Sequence, residues 1–393
     1  MTRRSSAACA SLAIALIACK GKHEPQRDDA RTVKEVSPRD AGTDEWRALE
    51  RFPKVEPSHV VALPARSTVP RFDVGGPAVA NGIAVVASSQ FGFVAVDYHR
   101  GQIVWSKPAG IHVAPPLAQA GTFVLLGECL QPPETGDQLL GCVRVVTPTG
   151  GDLSYVPVHG KDVAEFAGEP GAQRLWAIDD HTLLWRRGDR AVAVDELTGT
   201  ATATPAIDPP LDITYKQRTW QIRHDDDGII RATRRGKPAW NTERSYTAML
   251  GAVYLPDQGP MVRVSNAGRW GGEPEMNLMD IDATGSMHGQ VAVPVPGIGL
   301  VGHAIDAVGD VAIAVQLDRS LDHDFIVGYA ANALLMWVYP LPRVQRADPV
   351  GLAVAPDAVV AFHDGDTLTI LPELSAPPTA PGAARVPLEN PTP

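Results

Sequence analysis

The side chains best equipped for chemistry fall in short polar clusters: Arg187-Gly188-Asp189-Arg190, His224-Asp225-Asp226-Asp227, the run DRSLDHD from Asp318 to Asp324 that contains His323, and His363-Asp364-Gly365-Asp366. Carboxylates beside imidazoles can hold a divalent cation or meet the charges of a partner. Asp225 to Asp227 lack the full spacing and terminal Glu of a calcium loop, so no metal ligands are assigned. Scattered Ser, His and Asp define no triad, and no Gly-rich phosphate loop or Gly-x-Ser-x-Gly elbow occurs. No catalytic and no cofactor-binding residues are assigned either. Asp and Gly also make good turns, and the clusters fall where a second strand of a repeat turns into a third. Together they predict an acidic, His-containing face for a protein partner. Its candidate contacts are Arg269 and Trp270, at the centre of a long loop from Asn266 to Glu275 (NAGRWGGEPE), with His224, Asp226, His323 and His363. Trp and Arg recur at interface hot spots.

The four cysteines divide by position. Cys9 and Cys19 lie in MTRRSSAACASLAIALIAC, a basic start followed by an apolar run of signal-peptide length, too short for the ~20 residues of a membrane span. Leu16-Ile17-Ala18-Cys19 resembles the bacterial lipobox, whose cysteine thiol takes a diacylglycerol before cleavage; an ordinary signal peptide is the alternative. Acyl chains contribute about 0.8 kcal/mol per buried CH₂, so two or three hold a protein at a membrane. Lys20, where Asp would favour the inner membrane, points to the outer membrane, with the body facing the periplasm. Cys129 ends one expected strand (TFVLLGEC) and Cys142 begins the next (CVRVVT), facing each other across a hairpin. In an oxidising periplasm they should form a disulfide.

These residues need a frame. The chain has 393 residues, 44% hydrophobic and 20% charged, with 36 Gly and 35 Pro, as suits a turn-rich globular protein. Its formal charge is −10, and loss of the leader with Arg3 and Arg4 makes it two units more negative, which disfavours nucleic acid as a partner. Residues 1–18 read as the leader and 19–57 as a charged, Pro-containing flexible tether. Short apolar runs then alternate with Gly, Pro, Asp and Asn, the mark of strands. Pro77 to Pro108 divides into four: Pro77–Ala80, Ile83–Ser88, Phe93–Asp97 and Gln102–Ser106.

The turn before the fourth strand recurs. Gly101, Gly150, Gly199, Gly236 and Gly285 are 49, 49, 37 and 49 residues apart, and Asn332, tolerated in the left-handed region, continues the series. An aromatic follows at Trp105, Tyr155, Trp240 and Trp337. Four strands every 40 to 50 residues is the period of a β-propeller blade. Blades begin near Pro77, Val113, Ala172, Asp212, Ala248, His303 and Val350. The last lacks a fourth strand, and His59–Leu63 (HVVAL), ahead of the first blade, is free to supply it. The prediction is an all-β, seven-bladed propeller over 58–375 closed by an N-terminal strand, with eight blades as the alternative and 376–393 as a disordered Pro-rich tail.

Ala95-Val96-Asp97-Tyr98-His99-Arg100-Gly101-Gln102-Ile103-Val104-Trp105 resembles the Ala-x-Asp-x-x-Thr-Gly-x-x-x-Trp motif of quinoprotein-like (PQQ-like repeat) β-propellers, and Ala193 to Gly199 matches its first half. The family's Asp and Gly shape the turn, and its Trp packs between blades. Two branches matter: the quinone-dependent dehydrogenases and the BamB family, lipoprotein subunits of the outer-membrane β-barrel assembly machinery. A quinone enzyme would need calcium, an acidic base and, in many members, a disulfide between adjacent cysteines, a pair this chain lacks. The resemblance therefore implies a non-catalytic, cofactor-free, monomeric lipoprotein of the outer membrane that binds a cell-envelope protein. A quinone- or metal-dependent oxidoreductase is the alternative.

Overall fold

The computed structural model describes residues 51–64, 75–88, 91–108, 113–127, 129, 138–160, 163, 166, 173–255, 259–270, 273–288, 295–297, 299–316, 324–341, 351–364 and 367–374, and of these the side chains of 138, 255, 268–270, 273–275 and 364 are left aside. The chain forms seven four-stranded antiparallel blades in a ring, a seven-bladed β-propeller. A first strand, β1 (His59–Ala62), stands ahead of blade 1. Blade 1 is β2 (Ala78–Ala80), β3 (Ile83–Ser88), β4 (Gly92–Asp97) and β5 (Gln102–Lys107), within a residue of the expected spans. Blade 2 is β6 (Leu117–Gln119), β7 (Thr122–Gly127), β8 (Gln138–Val146) and β9 (Asp152–Gly160); blade 3 is β10 (Gln173–Ala177), β11 (Thr182–Arg187), β12 (Arg190–Asp195) and β13 (Ala201–Thr204). Blade 4 is β14 (Leu211–Tyr215), β15 (Arg218–His224), β16 (Ile230–Arg234) and β17 (Lys237–Asn241); blade 5 is β18 (Ala248–Leu255), β19 (Gly259–Trp270), β20 (Glu273–Asp282) and β21 (Met287–His288). Blade 6 is β22 (Gly299–Ile305), β23 (Val311–Gln316), β24 (Asp324–Tyr329) and β25 (Leu335–Pro340); blade 7 holds β26 (Gly351–Val354), β27 (Val360–Asp364) and β28 (Thr367–Leu371).

β1 completes blade 7. It pairs antiparallel with β28 from His59↔Ile370 to Ala62↔Thr367, so the chain's beginning fastens the ring. The docked segment starts earlier than expected, because Phe52 is buried among Leu250, Met276 and Val338 between blades 5 and 6. Lys54 bridges Val338 of β25 in parallel, with Val338 N–H donating to Pro53 O (2.7 Å) and Val55 N–H to Val338 O (3.3 Å). The expected tether thus joins the folded body by Phe52.

The core lies in the seams. Strand side chains alternate between the two faces of a sheet, and both faces of a blade are covered. β3 is therefore buried throughout: Ile83, Val85 and Ala87 pack toward blade 2 and Ala84 and Val86 toward blade 7. This is why the inner strands read as continuous apolar runs.

The turn motif supplies the next contact. Asp97 Oδ1 accepts the N–H groups of His99 and Arg100 (both 3.0 Å), and Asp195 Oδ1 those of Leu197 (2.9 Å) and Thr198 (2.8 Å). Trp105 Nε1 crosses to blade 2 and donates to Pro148 O (2.9 Å); Trp240 does the same to Ala283 O (2.9 Å) on blade 5. At Gly150 (φ 87°) a Cβ would stand 2.7 Å from the Trp105 ring, and at Gly285 (φ 89°) 2.9 Å from Trp240, so both backbone angle and indole require glycine. On the closing strand His59 takes the tryptophan's place, its Nε2 lying 3.0 Å from His99 O and its ring against Gly101.

Two expected positions are corrected. The left-handed residue of blade 6 is Ala333 (φ 61°), not Asn332, whose Oδ1 instead accepts Leu334 N–H (3.1 Å). Tyr155 is one residue out of step with the docking tryptophans, because the fourth residue after Gly150 is Ser154. Tyr155 lies partly exposed beneath the Arg144 guanidinium (4.9 Å). Trp337 holds the right position, yet its buried Nε1 has no hydrogen-bond partner. Blade 7 takes its fourth strand from the other end of the chain, so no third-to-fourth turn exists there to present a carbonyl.

Candidate functional site

In a four-stranded antiparallel blade, the second-to-third connections and the links to the next blade emerge at the same end of the strands. That end carries the polar clusters. On blade 4, Arg231 on β16 reaches back to Asp225 and Asp227, with Nη1 and Nη2 on Asp227 Oδ1 (3.0 Å) and Oδ2 (2.6 Å), and Nη1 also on Asp225 Oδ2. The guanidinium holds the Asp227 carboxyl down to about 2. Asp226 between them is exposed. His224 is half-buried, its Nε2 3.0 Å from Tyr246 O.

Tyr246 lies in the link to blade 5, residues 242–247, and the next residue reaches the β19–β20 connection. Thr247 N–H donates to Ser265 O (3.0 Å), and Thr247 Oγ1 accepts Ala267 N–H (2.9 Å). β18 pairs with β19 as far as Ala248↔Ser265. Beyond it β19 and β20 pair with each other from Asn266↔Asn277 to Trp270↔Glu273. The expected loop from Asn266 to Glu275 is therefore a β-hairpin arm. Gly-rich composition disguised a ladder. Arg269 and Trp270 end β19, their backbones opposite Pro274 and Glu273. Met276, at the arm's base, exchanges backbone hydrogen bonds with Val295 (2.8 and 3.2 Å).

His224, Asp226, Arg269 and Trp270 thus share adjoining blades, linked through Tyr246 and Thr247. His363 does not join them. It lies on β27, 5% exposed, with its ring edge-on to Phe91 (5.9 Å). The expectation of a surface contact there is corrected: His-Asp-Gly-Asp reads as a turn, but the strand runs through its first half, and the imidazole is covered by Phe91 of blade 1. His323 and Cys19 lie outside the described residues. Cys129 and Cys142 are joined by a disulfide (S–S 2.01 Å). Cys142 sits inside β8, opposite Gly127, rather than at its start.

Sequence reading missed three basic side chains near this end. Arg174 on β10 and Arg186 on β11 both hold Asp208, at 3.0 and 2.6 Å. His303 stands on β22, the innermost strand of blade 6. It remains open to solvent while protein encloses it, as befits a residue facing the ring's axis. That enclosure, with the charges of Arg174 and His224, keeps its imidazole below the usual range. Only knowledge of which strands are innermost could have singled out these residues. Among the described residues no group of three or more His, Cys, Asp or Glu side chains is placed to hold a metal ion.

No protein-family model matches the chain, and no curated protein matches it. Among solved structures the chain is similar to BamB from Moraxella catarrhalis, at 14% identity over 76% of this chain and 85% of that one, with a TM-score of 0.34. It is similar to the quinohemoprotein alcohol dehydrogenase of Comamonas testosteroni at 11% identity over 82% and 79%, TM-score 0.39. The computationally designed protein Ika8 is similar at 14% identity over 79% and 98%, TM-score 0.43.

Proposed function

We propose that this chain is a non-catalytic scaffold of the bacterial cell envelope that binds another envelope protein, with outer-membrane protein assembly as the process it serves. The observation that carries the reading is the β19–β20 arm. A two-stranded ribbon standing beyond its sheet offers backbone edges and alternating side chains to a partner, and a rigid ring beneath it keeps that surface in place. Arg269 and Trp270 at its tip are the contacts of greatest expected weight. The reading includes a leader over 1–18, lipidation at Cys19, a tether following it, a periplasm-facing body at the outer membrane and a Pro-rich tail over 376–393.

The test is affinity capture from detergent-solubilised membranes of the native host. Arg269→Ala with Trp270→Ala should lower capture of the partner at least tenfold while leaving the thermal midpoint unchanged. Equal capture by the double variant would remove the arm from the proposal. A stoichiometric chromophore or metal in protein purified from that host would replace the scaffold with an oxidoreductase. Cys19→Ala should move the protein from the membrane to the soluble fraction.

A further inference from the structure

The first turn of blade 6 contains two enclosed carboxylates. Asp306 and Asp310 flank the connection between β22 and β23, at 8% and 6% exposure. Asp306 Oδ1 accepts three backbone N–H groups, from Val308 (3.0 Å), Gly309 (2.7 Å) and Asp310 (2.9 Å). Its Oδ2, equally buried, has no partner. Asp310 Oδ1 accepts Ala331 N–H (2.6 Å) from the turn between β24 and β25.

Blade 5 faces this turn with Arg263 on β19, wholly buried, and Asp280 on β20, at 5% exposure. The guanidinium grips both oxygens of Asp280 (2.8 Å each) and directs its other N–H groups to Gly309 O and Ala331 O (2.7 Å each). Three enclosed carboxylates therefore share one guanidinium, which is already committed to Asp280. The guanidinium's other N–H groups go to carbonyls, so a full charge on both Asp306 and Asp310 would rest mainly on backbone N–H groups, a costly state at such low exposure. Burial and the neighbouring Asp306 charge push the Asp310 carboxyl above its ordinary range, with Arg263 opposing.

We propose that this turn is a proton-held latch: Asp310 keeps a proton and donates it to Asp306 Oδ2, fixing the loop that receives Arg263 and with it the seam between blades 5 and 6. The sign follows from linkage. A carboxyl held more tightly protonated in the folded protein contributes stability that is complete below the unfolded value of 3.8 and is lost as pH rises through the folded value. The seam tightens in mild acid and loosens toward alkaline pH. Asp227, held low by Arg231, works in the opposite sense.

Thermal midpoints of the full chain from pH 4 to 8 test this, with Asp310→Asn as the comparison. Asparagine keeps an acceptor for Ala331 and places an N–H where the proton would be. The variant should match the parent near pH 4 and exceed it by roughly 2 to 4 °C at pH 8. A variant less stable at every pH, or a difference indifferent to pH, overturns the latch. So does a calcium-dependent rise in the parent's midpoint that Asp310→Asn abolishes, since a cation would then hold the pair. NMR titration of the parent labelled at aspartate carboxyl carbons reads the proton directly, without a variant. One buried carboxyl should titrate above the ordinary aspartate range, and titration of all within it sinks the idea.

Discussion

Neighbouring blades are held together here in two ways. Between blades 1 and 2, and between blades 4 and 5, an indole lies over a left-handed glycine and donates one hydrogen bond. Blade 5 has only Met287–His288 as its fourth strand, without a tryptophan, and buried Arg263 crosses its seam with blade 6 beside an apolar cluster that includes Leu250, Met276 and Phe325. The first device is mostly apolar surface with a polar tip, and it degrades gradually as atoms are removed. The second is an enclosed charge network, where loss of one member leaves the others unpaired. Stability should therefore respond very unequally to single changes at the two seams.

The largest expected effect is Arg263→Met. It strands Asp280 without a counter-charge and should lower the unfolding free energy by about 3–5 kcal/mol in urea titrations. Adding Asp280→Leu should recover much of that loss; no recovery would mean that packing, not charge, makes the seam. Next comes Gly150→Ala, which meets both a positive φ and the Trp105 ring, at about 1–3 kcal/mol by the same measurement. Trp105→Phe keeps most of the ring and loses the bond to Pro148 O, so about 1 kcal/mol is expected. The smallest change is His59→Ala, about 0.5 kcal/mol, because the imidazole is a small, partly exposed stand-in for the tryptophan. A His59 loss above that of Trp105→Phe would show that ring closure depends on this contact more than the ordinary seams depend on theirs.

These seams also separate what the sequence discloses from what it hides. Asp97, Gly101 and Trp105 recur at blade spacing because each has a local job that few other residues can do. That regularity made the blades, their starts and the closing strand readable. Arg263 repeats nowhere and pairs with groups 17, 46 and 68 positions away. Its one signal is a charge inside the apolar run Met261 to Val264. Asn332 and Tyr155 misled because the eye matches residue types, whereas the backbone counts positions from the turn. The arm was hidden by glycine-rich composition that also suits a loop. His363 was misplaced because turn residues began before the strand had ended. The end that carries the polar clusters was therefore readable as a location, but the individual groups converging on it depend on neighbouring blades.

The entry of the chain has a mechanical consequence. Phe52 is wedged between blades 5 and 6, and Pro53 to Val55 lie bonded along β25 before the chain reaches the clasp at β1. A pull applied upstream of Phe52 is thus borne first by the flank of an already complete blade. The wedge acts as a cable clamp, shielding the joint that keeps the wheel shut from force transmitted along the leading segment.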